Sequence, residues 1–184
     1  MPAINKEFLS LLKCYNDDFF NNYPIFIETG TCEGVTTFAM EPYFNEIHSV
    51  EIKEQFYTNT KSKYNGTKIN FYLGDSSIVL KHICEKVVEP AVFFLDGHWS
   101  AGNTGRGPKD CPLYEELENI IKYFKNSAII IIDDVGYFGK GPNRKTDPCN
   151  WEDISITGVI SITLDRLLSN YIFDDRMILN IKPL

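Results

Sequence analysis

Short runs of β-branched and aromatic residues alternate along the chain with longer segments in which apolar residues recur at helical spacing. This alternation predicts βαβ units, which assemble into a parallel sheet. The run from Ala91 to Leu95 is apolar at every position, which is typical of a strand covered by helices on both faces. Five strands are predicted in this way, at residues 25–28, 46–51, 68–73, 91–95 and 127–132.

Helices are predicted around these strands, and residues 136–150, rich in Gly, Pro, Asn and Lys, are predicted as a loop. Two short strands around Asp174-Asp175 predict an antiparallel hairpin. The fold class is therefore α/β, with a Rossmann-like, doubly wound sheet of seven strands, mostly parallel with an antiparallel C-terminal hairpin, and helices on both faces. No segment remains for a second unit, so we expect residues 1–184 to form a single domain. The predicted helices cover about residues 5–21, 34–41, 52–63, 76–88, 112–124 and 153–169.

Polar residues collect at the carboxyl ends of the first three strands, where such sheets bind ligands. Residues 28–34, Glu-Thr-Gly-Thr-Cys-Glu-Gly, form a glycine turn that lets backbone N–H groups approach a ligand. Glu51 ends the second strand, where its carboxylate can accept both hydroxyls of a ribose. After the third strand, Asp75 can accept from an adenine amino group, although Asp75 or Ser76 can equally be a helix N-cap. Together the three strand ends favour a nucleoside ligand.

Carboxylates also follow the fourth and fifth strands. Asp96 precedes Gly97 and His98, and Asp133 is followed directly by Asp134. Polar groups are costly at the end of an apolar strand unless they bind something, and adjacent carboxylates repel each other until a cation relieves them. Three carboxylates without a cysteine favour Mg²⁺ over Zn²⁺. As an alternative, Asp133 or Asp134 caps the following turn.

The motifs E-T-G-T-C-E-G-V-T, S-V-E-I and L-G-D-S resemble those of class I S-adenosylmethionine-dependent methyltransferases in order and spacing. The resemblance covers most of the chain, including the C-terminal hairpin. It implies that Glu28 and Gly30 line the methionine moiety, that Glu51 holds the ribose, and that Asp75 and Ser76 face the adenine. The complete set of cofactor-binding residues implied is Glu28, Thr29, Gly30, Thr31, Gly34, Thr36, Glu51, Asp75, Ser76 and Asp96.

The carboxylates after the fourth and fifth strands resemble those of metal-dependent O-methyltransferases of the catechol and macrocin types. That likeness implies that Asp96, Asp133 and Asp134 hold Mg²⁺, or Mn²⁺ or Ca²⁺ in its place. The chain departs from the catechol enzymes at His98, and we expect Asp96 and His98 to be the catalytic residues. His98 stands where the catalytic lysine region of the catechol enzymes begins, and we predict that it is the base. The segments L-D-G-H-W-S and D-C-P-L-Y-E-E-L are also similar to those of small glycan-modifying methyltransferases, which implies a sugar hydroxyl as the acceptor.

Acceptor contacts are predicted for the loops beside these residues. Trp99 can stack on a sugar or aromatic ring, or simply anchor its loop. Arg106 belongs to a group of basic residues that can hold a charged acceptor or be solvated only. The basic residues of the two loops are Arg106, Lys109, Lys140, Arg144 and Lys145.

Charge and composition restrict the partners. The 18 basic and 25 acidic side chains give a formal net charge of −7, which argues against a nucleic-acid backbone as partner. No apolar run approaches the roughly 20 residues of a membrane helix, and we see no signal peptide. The five cysteines are irregularly spaced, so we expect reduced thiols. We therefore expect a cytoplasmic protein that acts on a small molecule or glycan and contacts no membrane; a homodimer is compatible with the sequence.

Other classes of function remain open at this point. A metal-independent methyltransferase acting on another small molecule would use the same cofactor residues. A nicotinamide-dependent oxidoreductase would share the fold and Glu51, but the turn lacks the third glycine of the dinucleotide fingerprint. An amino-group methyltransferase of nucleic acid would carry N/D-P-P-Y/F after the fourth strand, where Asp-Gly-His-Trp stands. A cofactor-binding module without catalysis is the last alternative.

Overall fold

Seven strands form one sheet in the computed structural model, which describes residues 3–142 and 149–184. Their order across the sheet is β3-β2-β1-β4-β5-β7-β6. The first five strands pair in parallel, and the last two pair antiparallel with their neighbours. The predicted fold class is thus confirmed. The strands are β1 (Ile25–Thr29), β2 (Glu46–Glu51), β3 (Ile69–Leu73), β4 (Ala91–Leu95), β5 (Ala128–Ile132), β6 (Leu167–Phe173) and β7 (Arg176–Ile181).

Helices cover both faces of the sheet and bury two apolar cores. One core contains Leu80, Leu117 and Val159 from helices on the first face, and the other contains Phe19 and Met40 from helices on the second. Burial on both faces explains why β1, β4 and β5 are buried at every position. The helices are α1 (Lys6–Ser10), α2 (Phe19–Asn22), α3 (Val35–Met40), α4 (Glu54–Ser62), α5 (Ser76–Lys86), α6 (Leu113–Tyr123) and α7 (Ile156–Thr163).

The single leading helix predicted over residues 5–21 is wrong, because two short helices, α1 and α2, stand there. Between them the side chain of Asn16 accepts a hydrogen bond from the backbone N–H of Asp18 at 3.0 Å. This local bond competes with helical pairing, as asparagine side chains commonly do. The chain can therefore turn before Phe19 begins the second helix.

The helix predicted over residues 153–169 is also too long. It begins after Ser155, whose side chain caps it by accepting from the N–H of Gly158, and it ends at Thr163. Arg166 then pairs through its backbone oxygen with the N–H of Lys182, which starts the terminal hairpin. The hairpin strands are consequently longer than the two short strands predicted. Pairing with β7 outweighs the helical spacing of these residues.

No helix among the described residues is both long enough and apolar enough to cross a membrane.

Candidate active site

A cleft of about 190 Å³ lies at the carboxyl edge of the parallel strands. At its base Gly30 has a φ of +85°, and a Cβ there would lie 2.2 Å from the backbone oxygen of Asp96. Only glycine therefore allows the turn after β1 to approach the end of β4 so closely. The predicted residues that line the cleft are Gly30, Glu51, Asp75, Ser76, Asp96 and His98.

Glu51 is held at the end of β2 with its carboxylate at the cleft wall. One oxygen accepts from the backbone N–H of Cys32 at 2.7 Å, and the other accepts from the backbone N–H of Lys53 at 2.8 Å. Each carboxylate oxygen retains further acceptor capacity. The two hydrogen bonds thus fix the orientation of the side chain at the cleft wall.

Asp75 caps a helix and also stands at the cleft. Its Oδ1 caps α5 by accepting from the backbone N–H of Ser77 at 2.9 Å, so the N-cap role is present. The residue also lines the cleft. Its other oxygen, Oδ2, lies 3.3 Å from the position that a Cβ on Gly107 would take. Cap and ligand contact are therefore compatible.

Other predicted cofactor residues lie beneath or beside the cleft. Glu28 is buried under the glycine turn, where Oε2 accepts from Ser49 Oγ at 2.7 Å and from the hydroxyl of Thr37. Burial raises the pKa of Glu28 to about 8, although the two hydroxyls oppose the shift. These residues pack beneath the turn and do not line the cleft. Thr29, Thr31, Gly34 and Thr36 likewise do not line the cleft.

Two carboxylates and an imidazole converge at the end of the cleft. His98 Nδ1 lies 3.4 Å from Asp96 Oδ1, and Nε2 lies 3.2 Å from Asp134 Oδ2. Nε2 is also 3.1 Å from the hydroxyl of Ser100. Asp134 adopts a left-handed backbone with a φ of +59°, which costs energy for a residue other than glycine and is common at functional sites.

The electrostatics of this group follow from burial and from the pairing. Burial raises the pKa of Asp96 to about 7, opposed by His98 and reinforced by the neighbouring aspartates. The hydrogen bond from His98 lowers the pKa of Asp134. Burial by itself would lower the pKa of His98, but the hydrogen bond to Asp134 and the charge of Asp96 raise it overall.

Asp133 departs from the predicted carboxylate group. Its Oδ1 lies 3.0 Å from Arg176 Nε, on β7, and its side chain is mostly buried. Arg176 in turn donates to the backbone oxygen of Ala3 at 2.9 Å. The ligand atoms that lie within 4.8 Å of one another therefore belong to Asp96, His98 and Asp134. His98 takes the position that the sequence analysis gave to Asp133.

The predicted acceptor residues lie on the loop after β4. The guanidinium carbon of Arg106 sits 4.0 Å from the centre of the Trp99 ring. Arg106 also donates to both carboxylate oxygens of Asp110, at 2.7 and 3.3 Å. These contacts hold the loop in shape while the guanidinium stays largely exposed. Arg144 and Lys145 lie outside the described residues.

The structure adds residues that the sequence analysis did not single out. The ring of Trp151, buried, packs on His98 with 4.8 Å between ring centres. Ile52 and Phe56 provide apolar walls for the cleft. The signal for Ile52 was its position directly after Glu51, whereas Trp151 reaches His98 from a distant loop that no local pattern connects to it.

No protein-family model and no curated protein sequence matches the chain. Solved structures do match in fold. The PH0226 protein of Pyrococcus horikoshii OT3 has a TM-score of 0.59 at 13% identity, over 91% of this chain and 85% of that one. The N-methyltransferase NodS of Bradyrhizobium japonicum WM9 has a TM-score of 0.52 at 11% identity, over 87% and 86%.

Human N-acetylserotonin methyltransferase, solved in complex with S-adenosylmethionine, matches with a TM-score of 0.54 at 15% identity, over 90% of this chain and 49% of that chain. At such identities the likeness concerns the fold. The chain has the Rossmann-like fold found in S-adenosylmethionine-dependent methyltransferases, with their antiparallel C-terminal hairpin.

Proposed function

We propose that the protein is an S-adenosylmethionine-dependent methyltransferase that methylates a hydroxyl oxygen of a small molecule, with a sugar or glycan as the acceptor class. The observation that carries this proposal is the position of His98 between two carboxylates, at the end of a cleft whose walls suit a nucleoside. The acceptor class rests on the likeness of the L-D-G-H-W-S segment to glycan-modifying methyltransferases.

The cleft offers each part of the cofactor a suitable partner. Glu51 would accept hydrogen bonds from the ribose hydroxyls, and Asp75 would accept one from the adenine amino group. Ile52 and Phe56 would contact the faces of the base. The turn at Gly30 would leave room for the methionine moiety beside Asp96. The methyl group on the sulfonium sulfur would then point toward the end of the cleft where His98 lies.

Methyl transfer to an alcohol needs little from the protein except orientation and removal of one proton. An alcohol is almost fully protonated at neutral pH, so a base next to the acceptor oxygen contributes typically ~10²–10⁴-fold to the rate. We assign that role to neutral His98, in which one ring nitrogen donates to a carboxylate and the other keeps the lone pair that takes the proton. Asp96 and Asp134 would hold the ring in place and stabilise the imidazolium that forms. Trp151 packs on the ring and limits its rotation.

A divalent cation is the second candidate for activating the acceptor. Two ligands at about 2.1 Å from one ion lie at most about 4.2 Å apart. The ligand atoms of Asp96, His98 and Asp134 lie within 4.8 Å of one another, so a small side-chain movement would let them hold Mg²⁺ or Mn²⁺. The two carboxylates suit such an ion, whereas the imidazole is the more usual ligand of transition metals such as Zn²⁺. When bound, the cation would lower the pKa of the acceptor hydroxyl. A His98 nitrogen that binds the ion has no lone pair left for a proton, so the two roles of His98 exclude each other.

The proposal is tested by incubating the purified protein with methyl-labelled S-adenosylmethionine and a panel of glycosides, and by detecting S-adenosylhomocysteine and methylated product by mass spectrometry. His98→Ala should lower kcat by about 10²–10⁴-fold and leave the affinity for S-adenosylhomocysteine unchanged. The matched control is His82→Ala, because His82 is an exposed histidine on α5. Equal activity of the two variants would remove His98 as the base.

The metal is tested separately. If a cation activates the acceptor, EDTA should abolish turnover and Mg²⁺ or Mn²⁺ should restore it, while Asp134→Asn should weaken metal binding measured by calorimetry. Full activity in EDTA would instead favour a methyltransferase that does not depend on a metal ion. Co-purification of a nicotinamide cofactor, with no binding of S-adenosylhomocysteine, would favour the oxidoreductase instead.

A further inference from the structure

Glu116 places a carboxyl group in the apolar core. It lies on α6 on the same face as Leu113, Leu117 and Ile120, and its exposed fraction is 1%. A carboxyl group at such a position is costly to bury unless other groups satisfy it. The neighbouring Glu118 points to solvent, so α6 has carboxyl groups in both environments.

Glu116 reaches the ends of three strands that form the proposed cofactor cleft. Near it are the hydroxyl of Thr29 at the end of β1, the hydroxyl of Ser76 after β3, and Gly97 after β4. A Cβ on Gly97 would lie 2.7 Å from Glu116 Oε1, so the lack of a side chain at residue 97 lets the carboxyl group approach the turn. That turn joins Asp96 to His98.

One atom of this side chain lacks a protein partner. Glu116 Oε1 is buried and has no hydrogen-bond partner among the described residues. Buried polar atoms in proteins are almost always paired, either with protein groups or with ordered water. The Thr29 and Ser76 hydroxyls interact with the carboxyl group, but Oε1 itself has no partner among the described residues and is left for another polar group.

A small cavity next to Glu116 can hold such a group. Its volume is about 10 Å³, which is close to the space that a single water molecule needs. Its polar lining comes from Glu116, His98 and Asp133, and Trp151 closes one side. A water molecule here could donate to Glu116 Oε1 and to the carboxylate of Asp133, whose Oδ1 already accepts from the backbone N–H of Asp134.

We propose that Glu116 is a positioning residue that, with one water molecule in the small cavity lined by both Glu116 and His98, fixes the Gly97–His98 turn and so orients the His98 imidazole. The role of the oriented imidazole rests on the proposed function, whereas the water site and the orientation do not. Glu116 itself touches neither cofactor nor acceptor. It would act from the core side of His98, opposite the cleft.

The experiment compares Glu116→Leu, which fills the position without binding water, with Glu116→Gln, which keeps the shape and the polar contacts. Glu118→Leu on the exposed face of α6 is the control. We expect Glu116→Leu to lower kcat by roughly 10²-fold, the scale of a misplaced catalytic group, and to leave the affinity for S-adenosylhomocysteine within about 3-fold. Glu116→Gln should restore most of the turnover, which a loss of folding stability alone would not explain.

Two readouts are independent of turnover. The ring ¹⁵N resonances of His98, recorded at one pH, should move in Glu116→Leu and stay in place in Glu118→Leu. A crystal structure of the wild-type protein should show a water oxygen bonded to Glu116, and the Glu116→Leu structure should lack it. If no acceptor is ever methylated, these two readouts still decide the positioning role.

The proposal is overturned if the His98 resonances of Glu116→Leu coincide with those of the wild type, or if the cavity holds no water in the wild-type crystal. It is also overturned if Glu116→Leu and Glu118→Leu turn over equally in an active enzyme. A parallel loss of cofactor affinity and turnover in Glu116→Gln and Glu116→Leu would assign Glu116 to the cofactor cleft instead.

Discussion

Gly105 packs against Ile52 so closely that a Cβ on Gly105 would lie 2.3 Å from Ile52 Cγ2 and 3.3 Å from Glu51 Oε1. The loop after β4 thereby forms one wall of the cleft, and Lys53 fixes it by donating to the side chain of Asn103 at 2.6 Å. Gly105→Ala should push this loop away from the nucleoside position. Overpacking typically costs ~1–3 kcal/mol, so we expect S-adenosylhomocysteine to bind roughly 5- to 150-fold more weakly in calorimetry.

A second substitution provides the control for Gly105. In the double variant Gly105→Ala with Ile52→Ala, the loss of Ile52 Cγ2 makes room for the new methyl group, so Gly105→Ala should weaken binding less in the Ile52→Ala background than in the wild type. An affinity of Gly105→Ala equal to that of the wild type would mean that the loop does not contact the bound nucleoside.

Glu51 should be required for cofactor binding. Glu51→Ala removes the acceptor for the ribose hydroxyls and leaves the backbone N–H groups of Cys32 and Lys53 without their partner. The loss of such buried hydrogen bonds costs about 1–3 kcal/mol, so calorimetry should show weaker binding of S-adenosylhomocysteine. Glu54→Ala, on exposed α4, should bind like the wild type. Unchanged affinity in Glu51→Ala would show that the end of β2 does not hold the ribose.

The central strands could be predicted because the signal for each of them lies in its own residues. Each of the runs that became β1, β4 and β5 is apolar because both of its faces are covered, so composition alone marks it. The termini were predicted less well. The break of the leading helix depends on the single side-chain bond of Asn16. The early start of β6 depends on pairing with β7, for example of Leu167 with Ile181, which no local pattern shows.

The candidate site shows the same division between local and long-range information. Residues at strand ends, such as Glu51 and Asp96, could be predicted because parallel strands bring their carboxyl ends to one edge. The pairing of Asp133 with Arg176 could not, since the two residues meet only through the antiparallel contact of β5 with β7. Glu116 could have been found from the sequence, because it lies three residues after Leu113 and four before Ile120 and therefore falls on the apolar face of α6.

Arg166 should contribute strongly to the stability of the fold. Its guanidinium donates to backbone oxygens at the C-terminal end of α6, including those of Ile121 at 3.0 Å and Phe124 at 2.6 Å, and to Asn126 at 2.8 Å. Arg166→Met should leave these carbonyls unsatisfied and lower the free energy of unfolding in urea by about 2–4 kcal/mol. Lys122→Met, exposed on the same helix, should change it by less than about 0.5 kcal/mol. Similar midpoints for both variants would contradict this role.

Glu28 should make folding stability fall as the pH rises. Burial raises the pKa of Glu28 to about 8 in the folded protein from an ordinary value of 4.5. The folded state therefore holds a proton that the unfolded state releases between these values, so its stabilising contribution is complete below about pH 4.5 and is lost as the pH rises through about 8. For one proton the slope approaches about 1.4 kcal/mol per pH unit. Glu28→Gln mimics the protonated form and keeps an acceptor for Ser49 and Thr37, so the stability of this variant should lack this slope.

Urea unfolding of wild type and variant at several values between pH 5 and 9 gives the difference directly, because the other titrating groups are common to both proteins. The variant should gain stability relative to the wild type as the pH rises, whereas Glu33→Gln, exposed on the glycine turn, should run parallel to the wild type. Parallel curves for Glu28→Gln as well would mean that Glu28 is ionised under its turn and that another cation or donor compensates its charge.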